Sequence, residues 1–186
     1  MSGLDLSKNG VSLHFALPEG ENEMEKSLNW PNLENYLEGL LRELTWFLGA
    51  PREQVGLGIL TSERSVEFCV ELGRNATVQQ YNSQYRGKNK PTDVLSFPVF
   101  ENLREISSDD LPPGELSLGD VLIGYEKACE QAREFGVTLE EELLHLTVHG
   151  VIHLCGYDHE ISTEEEKIMQ SLEKRFLDAI SNEKKK

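Results

Sequence analysis

Polar and apolar positions alternate at Val11, Leu13, Phe15 and Leu17, the period of a strand with one buried face. The same period returns at Val55, Leu57 and Ile59, and again at Val66, Phe68, Val70 and Leu72, with residues 61–64 able to turn between them. Those two runs predict a hairpin or two sequential strands. Asp93-Val94-Leu95-Ser96-Phe97-Pro98 reads as a short strand stopped by proline, and Gly119-Asp120-Val121-Leu122-Ile123 as a buried one.

Elsewhere the period lengthens to that of a helix. Pro31 is tolerated in a first helical turn, and Leu33, Tyr36, Leu37, Leu40, Leu41, Leu44, Phe47 and Leu48 then keep one apolar stripe as far as Gly49. Residues 75–85 form a second helical pattern with Asn75 as its cap. Asn75-Ala76-Thr77 also matches a glycosylation acceptor, a reading that fails in a cytoplasmic chain. Residues 125–135 predict a helix ended by Gly136, and Thr138 caps the next, with Glu140, Glu141 and Glu142 in its favourable first turn. A last amphipathic helix is predicted from about Thr163, where Glu166 completes an S/T-x-x-E box, through Ile168, Leu172, Phe176 and Ile180. Residues 18–29 read as an acidic loop and residues 100–117 as a long one. No repeat or second domain is visible, so residues 1–186 are expected to form one domain, with 1–10 and 181–186 flexible.

Composition narrows the possibilities. With 33 Asp and Glu against 18 Lys and Arg, the formal net charge is -15, which argues against broad adhesion to nucleic acid or an anionic membrane. A polyanionic substrate must therefore meet a local basic patch. One exists: from Leu72 to Thr92 there is no acidic residue, while Arg74, Arg86, Lys88 and Lys90 are all cationic. The three cysteines, Cys69, Cys129 and Cys155, are far apart and show no CxxC pairing, so neither a disulfide framework nor a zinc knuckle is suggested, and a reducing cytoplasm is the expected home. No signal-peptide core or membrane-length apolar run interrupts the chain.

The chemistry concentrates in residues 149–159. On a helix that advances about 100° per residue, His149 and His153 stand one turn apart on the same face with converging side chains. Gly156 can take the left-handed conformation that ends a helix and so bring His159 toward them. Three neutral imidazoles suit one Zn2+ per chain and leave a fourth tetrahedral position open, the mark of a catalytic rather than a closed site. His145, a further turn upstream, is expected beside the cleft or packed; Cys155 is expected to be an inert buried thiol. Asp158 is a candidate to orient a ligand ring or the attacking water, or a simple turn residue. Tyr157 either packs over the turn or offers its hydroxyl to the cleft.

HxxxHxxGxxH is the metzincin protease spacing, but Gly150 stands where that mechanism needs a glutamate base. Arginine can hold phosphate bidentately and zinc activates water near neutral pH, so the histidines and the basic segment together suit phosphodiester hydrolysis. Lys88 and Lys90 accompany Arg86 as candidate substrate-binding cations.

Residues 149–159, with Tyr85-Arg86-Gly87-Lys88, Pro91-Thr92-Asp93-Val94-Leu95-Ser96-Phe97-Pro98 and Leu118-Gly119-Asp120-Val121, resemble the YbeY family of bacterial ribosomal RNA maturation factors over roughly residues 65–180. That resemblance implies a zinc-bound, single-strand-specific endoribonuclease acting in maturation of the 16S ribosomal RNA 3′ end and in late ribosome quality control. Its partners would be single-stranded RNA, ribosomal RNA and the small ribosomal subunit, with no membrane and no DNA. His149, His153 and His159 would be the metal ligands, and Arg86 the cation that handles RNA. The implied fold is zincin-like α+β, a mixed sheet of about four strands surrounded by helices; the strand expected near residues 54–61 departs from it. Two rival readings remain at this point: a metzincin-like hydrolase of peptides or other substrates, and a ribosome-assembly factor whose zinc is mainly structural.

Overall fold

The computed structural model describes residues 3–54 and 56–183. A mixed sheet is built from β1 (Gly3–Lys8), β2 (Val11–Ala16), β3 (Arg64–Gly73), β4 (Val94–Pro98) and β5 (Gly114–Gly124), in the order β1-β2-β3-β5-β4. β2, β3 and β5 run parallel, and the two edge strands are antiparallel to their neighbours. The helices are α1 (Asn22–Ser27), α2 (Trp30–Gly49), α3 (Asn75–Arg86), α4 (Tyr125–Phe135), α5 (Leu139–Leu154) and α6 (Thr163–Glu183). The α+β class expected from the sequence holds, with five strands in place of about four.

The additional strand is β1, in a segment expected to be flexible. Its hairpin with β2 turns through Asn9 and Gly10, both at positive φ (48° and 84°), as a two-residue type I′ turn requires. The strand expected at residues 55–59 is absent for the described part, residues 56–59; Val55 lies outside the described residues. Leu57 and Ile59 are buried as anticipated, but their N–H groups donate to Phe47 O and Leu48 O, each at 2.8 Å. This stretch therefore serves the free carbonyls at the end of α2 rather than a sheet ladder. Two other expectations need correction. Asn75 is not a cap: its own N–H is satisfied by Glu126 Oε2 at 2.9 Å, a carboxylate well placed at a helix N-terminus. The expected box at Thr163 and Glu166 is replaced by a cap one residue earlier, with Ser162 Oγ accepting from Glu165 N at 3.1 Å. The acidic stretch 18–29 also contains the short α1.

Alternation along the central strands puts Val11, Leu13 and Phe15 with Val66, Phe68, Val70 and Leu72 on one face, all essentially inaccessible, against the apolar stripe of α2. α5 lies in the same layer, between the β4–β5 edge and helices α2, α4 and α6. α3 covers the other face through Val78, which packs with Leu95 and Leu122 in a small separate cluster. The residue 100–113 segment is pinned by the buried Arg64 guanidinium, which donates to Ile59 O, Ser108 O, Leu111 O and Pro112 O at 2.7–2.9 Å. That segment then supports the turn following α5: a Cβ at Gly156 would lie 2.9 Å from Leu103 N, and Arg104 pairs with Glu165 at 2.7 Å while lying over the Tyr157 ring.

Candidate metal centre

The phase of α5 is set at its first turn. Thr138 Oγ1 accepts from Glu141 N at 3.2 Å while Thr138 N donates to Glu141 Oε2 at 2.9 Å, a complete capping box, and Glu140 Oε1 accepts from Asn29 N at 2.7 Å at the start of α2. With its N-terminus fixed and its body buried, α5 can present only one face outward. His149 and His153 lie on it with ring centroids 4.7 Å apart and their Nε2 atoms at 3.2 Å. Gly156, at φ 90°, reverses the chain, and the His159 ring arrives 5.2 Å and 5.1 Å from the other two. One donor atom from each of the three lies within 4.8 Å of the others, so the cluster could hold a metal ion.

The donor set fits a cation chemically as well as geometrically. His149 Nδ1–H donates to Glu173 Oε1 on α6 at 2.7 Å, which fixes the tautomer and leaves Nε2 with its lone pair. Burial, reinforced by the neighbouring His149 and His159, pushes the His153 imidazole down to about 4, so the ring is neutral at physiological pH. His159 Nδ1 is buried with no hydrogen-bond partner, so that atom is not spent on a protein contact. Glu173 was missed in the sequence because nothing local marks it; only the packing of α6 over α5 places it behind His149. Burial raises its carboxyl, but the hydrogen bond from His149 outweighs this and the net shift is downward.

Gly150 has a structural reason. A Cβ there would stand 2.5 Å from Val121 Cγ1 on β5, and Ser96 Oγ on β4 donates to Gly150 O at 3.3 Å. The helix touches the sheet at this residue, so the position where metzincins carry their glutamate base has no room for any side chain.

The three imidazoles open onto a cleft of about 760 Å³. Arg86, Lys88 and Lys90 line it from the end of α3 and the following turn, and all three are exposed. Arg86 Nη2 lies 2.7 Å from both carboxylate oxygens of Glu160, the residue after His159, and that guanidinium holds the Glu160 carboxyl below its usual range. Arg74 is spent elsewhere, on Glu21 at 2.5 Å and Glu126 at 3.4 Å. Asp158 lines the cleft, but its Oδ1 accepts from Glu160 N at 2.8 Å, the bond of a turn aspartate. Tyr157 is 8% exposed and packs against Phe47 and Arg104. Cys155 is fully buried, which pushes its thiol up to about 12 and leaves it unreactive. His145 lines the cleft, with Nδ1 3.7 Å from Glu142 Oε1, and that neighbouring carboxylate raises its imidazole. Asp93 holds β4 to α4, accepting from Gln131 Nε2 at 2.9 Å.

Fold and site together define an α+β protein with an open three-histidine centre set in a cation-rimmed cleft. Its sequence matches the profile of the family described as Endoribonuclease YbeY over residues 33–181, and the chain belongs to that family. Proteins named endoribonuclease YbeY are similar to it: 37% identical in Syntrophomonas wolfei over 84% of this chain and 97% of that one. The corresponding figures are 44% in Enterococcus faecalis over 68% and 82%, and 40% in Caldicellulosiruptor bescii over 66% and 78%. The solution structure of TM1509 from Thermotoga maritima superposes with a TM-score of 0.54 at 28% identity, covering 93% of this chain and 91% of that one.

Proposed function

We propose that the protein is a single-strand-specific, zinc-dependent endoribonuclease that hydrolyses RNA phosphodiester bonds in maturation of the 16S ribosomal RNA 3′ end and late ribosome quality control, acting in the cytoplasm on the small ribosomal subunit. The observation that carries this reading is the convergence of His149, His153 and His159 within 4.8 Å at a cleft lined by Arg86.

Three imidazole nitrogen donors with an open fourth position suit one zinc ion per chain better than a hard, oxygen-seeking cation. When bound, zinc supplies Lewis acidity at a phosphoryl oxygen. The chain's own residues do the rest. Glu173 orients His149, burial keeps His153 unprotonated, and Arg86, released from Glu160, offers its planar fork to a phosphate with Lys88 and Lys90 beside it. Asp158 shapes the turn that delivers His159.

Neither rival reading is favoured. A peptidase of the metzincin type lacks its base and has no space for one at Gly150. A purely structural zinc would be closed by four protein ligands, whereas three donors meet here at an open cleft. The decisive assay compares cleavage of single-stranded and duplex RNA by purified protein, by protein stripped with a chelator, and by stripped protein given zinc. Loss on stripping and recovery with zinc, on the single strand, is the expected result. Undiminished cleavage by stripped protein would refute the metal's role, and equal cleavage of duplex would refute the strand preference.

Among the described residues no helix is long and apolar enough to cross a membrane.

A further inference from the structure

One group at the mouth of the cleft has no part in the chemistry described so far. Tyr81 and Tyr85, one turn apart on α3, stack with ring centroids 6.0 Å apart and planes only 9° from parallel. Phe97 of β4 meets both edgewise, at 5.9 Å from Tyr81 and 5.2 Å from Tyr85. Tyrosines that merely filled a core would be covered. Here Tyr81 is 40% exposed and Tyr85 60% exposed, and Tyr85 and Phe97 line the same cleft as the histidines.

We propose that the Tyr85 ring, braced by Tyr81 and Phe97, is a stacking platform for one unpaired nucleobase of the RNA strand whose phosphates engage Arg86 and Lys88. The inference rests on the ribonuclease reading and adds to it a base-binding subsite. Three observations converge. The ring is held from two directions, so its χ angles are already restricted and stacking a base on it costs little further entropy. Arg86 follows Tyr85 directly, and Lys88 lies two residues beyond, so cations and an aromatic face alternate over a span comparable to one nucleotide, the composition of grooves that track single strands. The chain as a whole carries a charge of -15, so RNA has few other places to settle.

The platform gives a physical origin to strand preference. In a duplex both faces of each base are already stacked, whereas an unpaired base has a free π-face that any aromatic ring can take regardless of base identity. Single strands are therefore selected by the stacking group as well as by access to the metal centre, with little dependence on sequence.

The test uses the metal-loaded full chain and a short fluorescein-labelled single-stranded RNA, with a matching series in which one nucleotide at a time is abasic. Binding is read by rapid-mixing anisotropy on ice before turnover, and KM and kcat by cleavage. Tyr85→Ala is expected to weaken binding and raise KM by roughly tenfold, with zinc content unchanged, while Tyr85→Phe and Tyr85→Trp retain wild-type binding. At one position of the series, removing the base should weaken wild type but not Tyr85→Ala further, because both changes delete the same contact. The platform is overturned if Tyr85→Ala binds as wild type does, or if the Tyr85→Ala and abasic losses simply add at every position. Wild type that cleaves normally alongside either result sinks the platform alone; wild type that cleaves no RNA sinks the ribonuclease reading and the platform with it.

Discussion

The floor and the rim of the cleft are built on opposite terms. The floor is two histidines on a mostly buried helix whose first turn is capped twice over, plus a third on a turn locked against residues 103–104. The rim is the exposed end of α3 and a polar turn, where Arg86 is held by a surface carboxylate and Tyr85 is largely bare. A metal centre demands fixed donors at fixed distances, so it sits where packing leaves no alternative; a polymer substrate must enter and leave, so its contacts sit where side chains can move. Substitutions on the floor should therefore act through stability and metal affinity, and substitutions on the rim through RNA alone.

The largest effect is expected at Gly150. Gly150→Glu supplies the missing metzincin base, yet it must push against Val121 of β5 and bury a charge, so it should lower the unfolding free energy by about 3 kcal/mol or more and yield no peptidase activity. Denaturant unfolding measures this; a stable variant that cleaves peptides would break the reading of the floor. Next is Glu173→Gln, which removes the charge behind His149 and should weaken zinc affinity by roughly 10- to 100-fold in a competition titration while leaving RNA binding by zinc-saturated protein intact. Arg86→Ala should then lower kcat/KM on single-stranded RNA by about tenfold with zinc content unchanged; loss of zinc would dissolve the distinction between floor and rim. Smallest is Glu160→Gln. It frees Arg86 from an exposed pair worth on the order of 1 kcal/mol or less, so RNA should bind up to about fivefold more tightly at low salt, the gain fading as salt rises.

The floor was legible in the sequence because its information is local. A four-residue helical step and one glycine place all three rings, and the spacing of His149, His153, Gly156 and His159 states that geometry directly. The long-range half of the same site was not legible: Glu173 comes from a helix whose packing no local pattern specifies, and the Val121 contact that makes Gly150 obligatory is made across the fold. Of the four cations in the acid-free stretch, the three singled out as substrate-binding candidates, Arg86, Lys88 and Lys90, line the cleft, while Arg74 is paired with Glu21 and Glu126. In the fold, the α2 stripe and the β2 and β3 alternations were read correctly because burial follows period. The hairpin of β1 was overlooked although Asn9-Gly10 between alternating residues is a strong turn signal. The segment at residues 56–60 misled for the opposite reason, since its buried Leu57 and Ile59 mimic a strand while their backbone serves the end of a helix.

The most direct measurement is of zinc content and single-stranded RNA cleavage on the same preparations of wild type and His153→Ala, with circular dichroism to show that both are folded. The expected result is one zinc per wild-type chain, and in His153→Ala a loss of zinc together with a fall in cleavage of about a thousandfold, the scale of several kcal/mol that a metal contributes. A folded His153→Ala protein that lost its zinc and still cut RNA at the wild-type rate would contradict it.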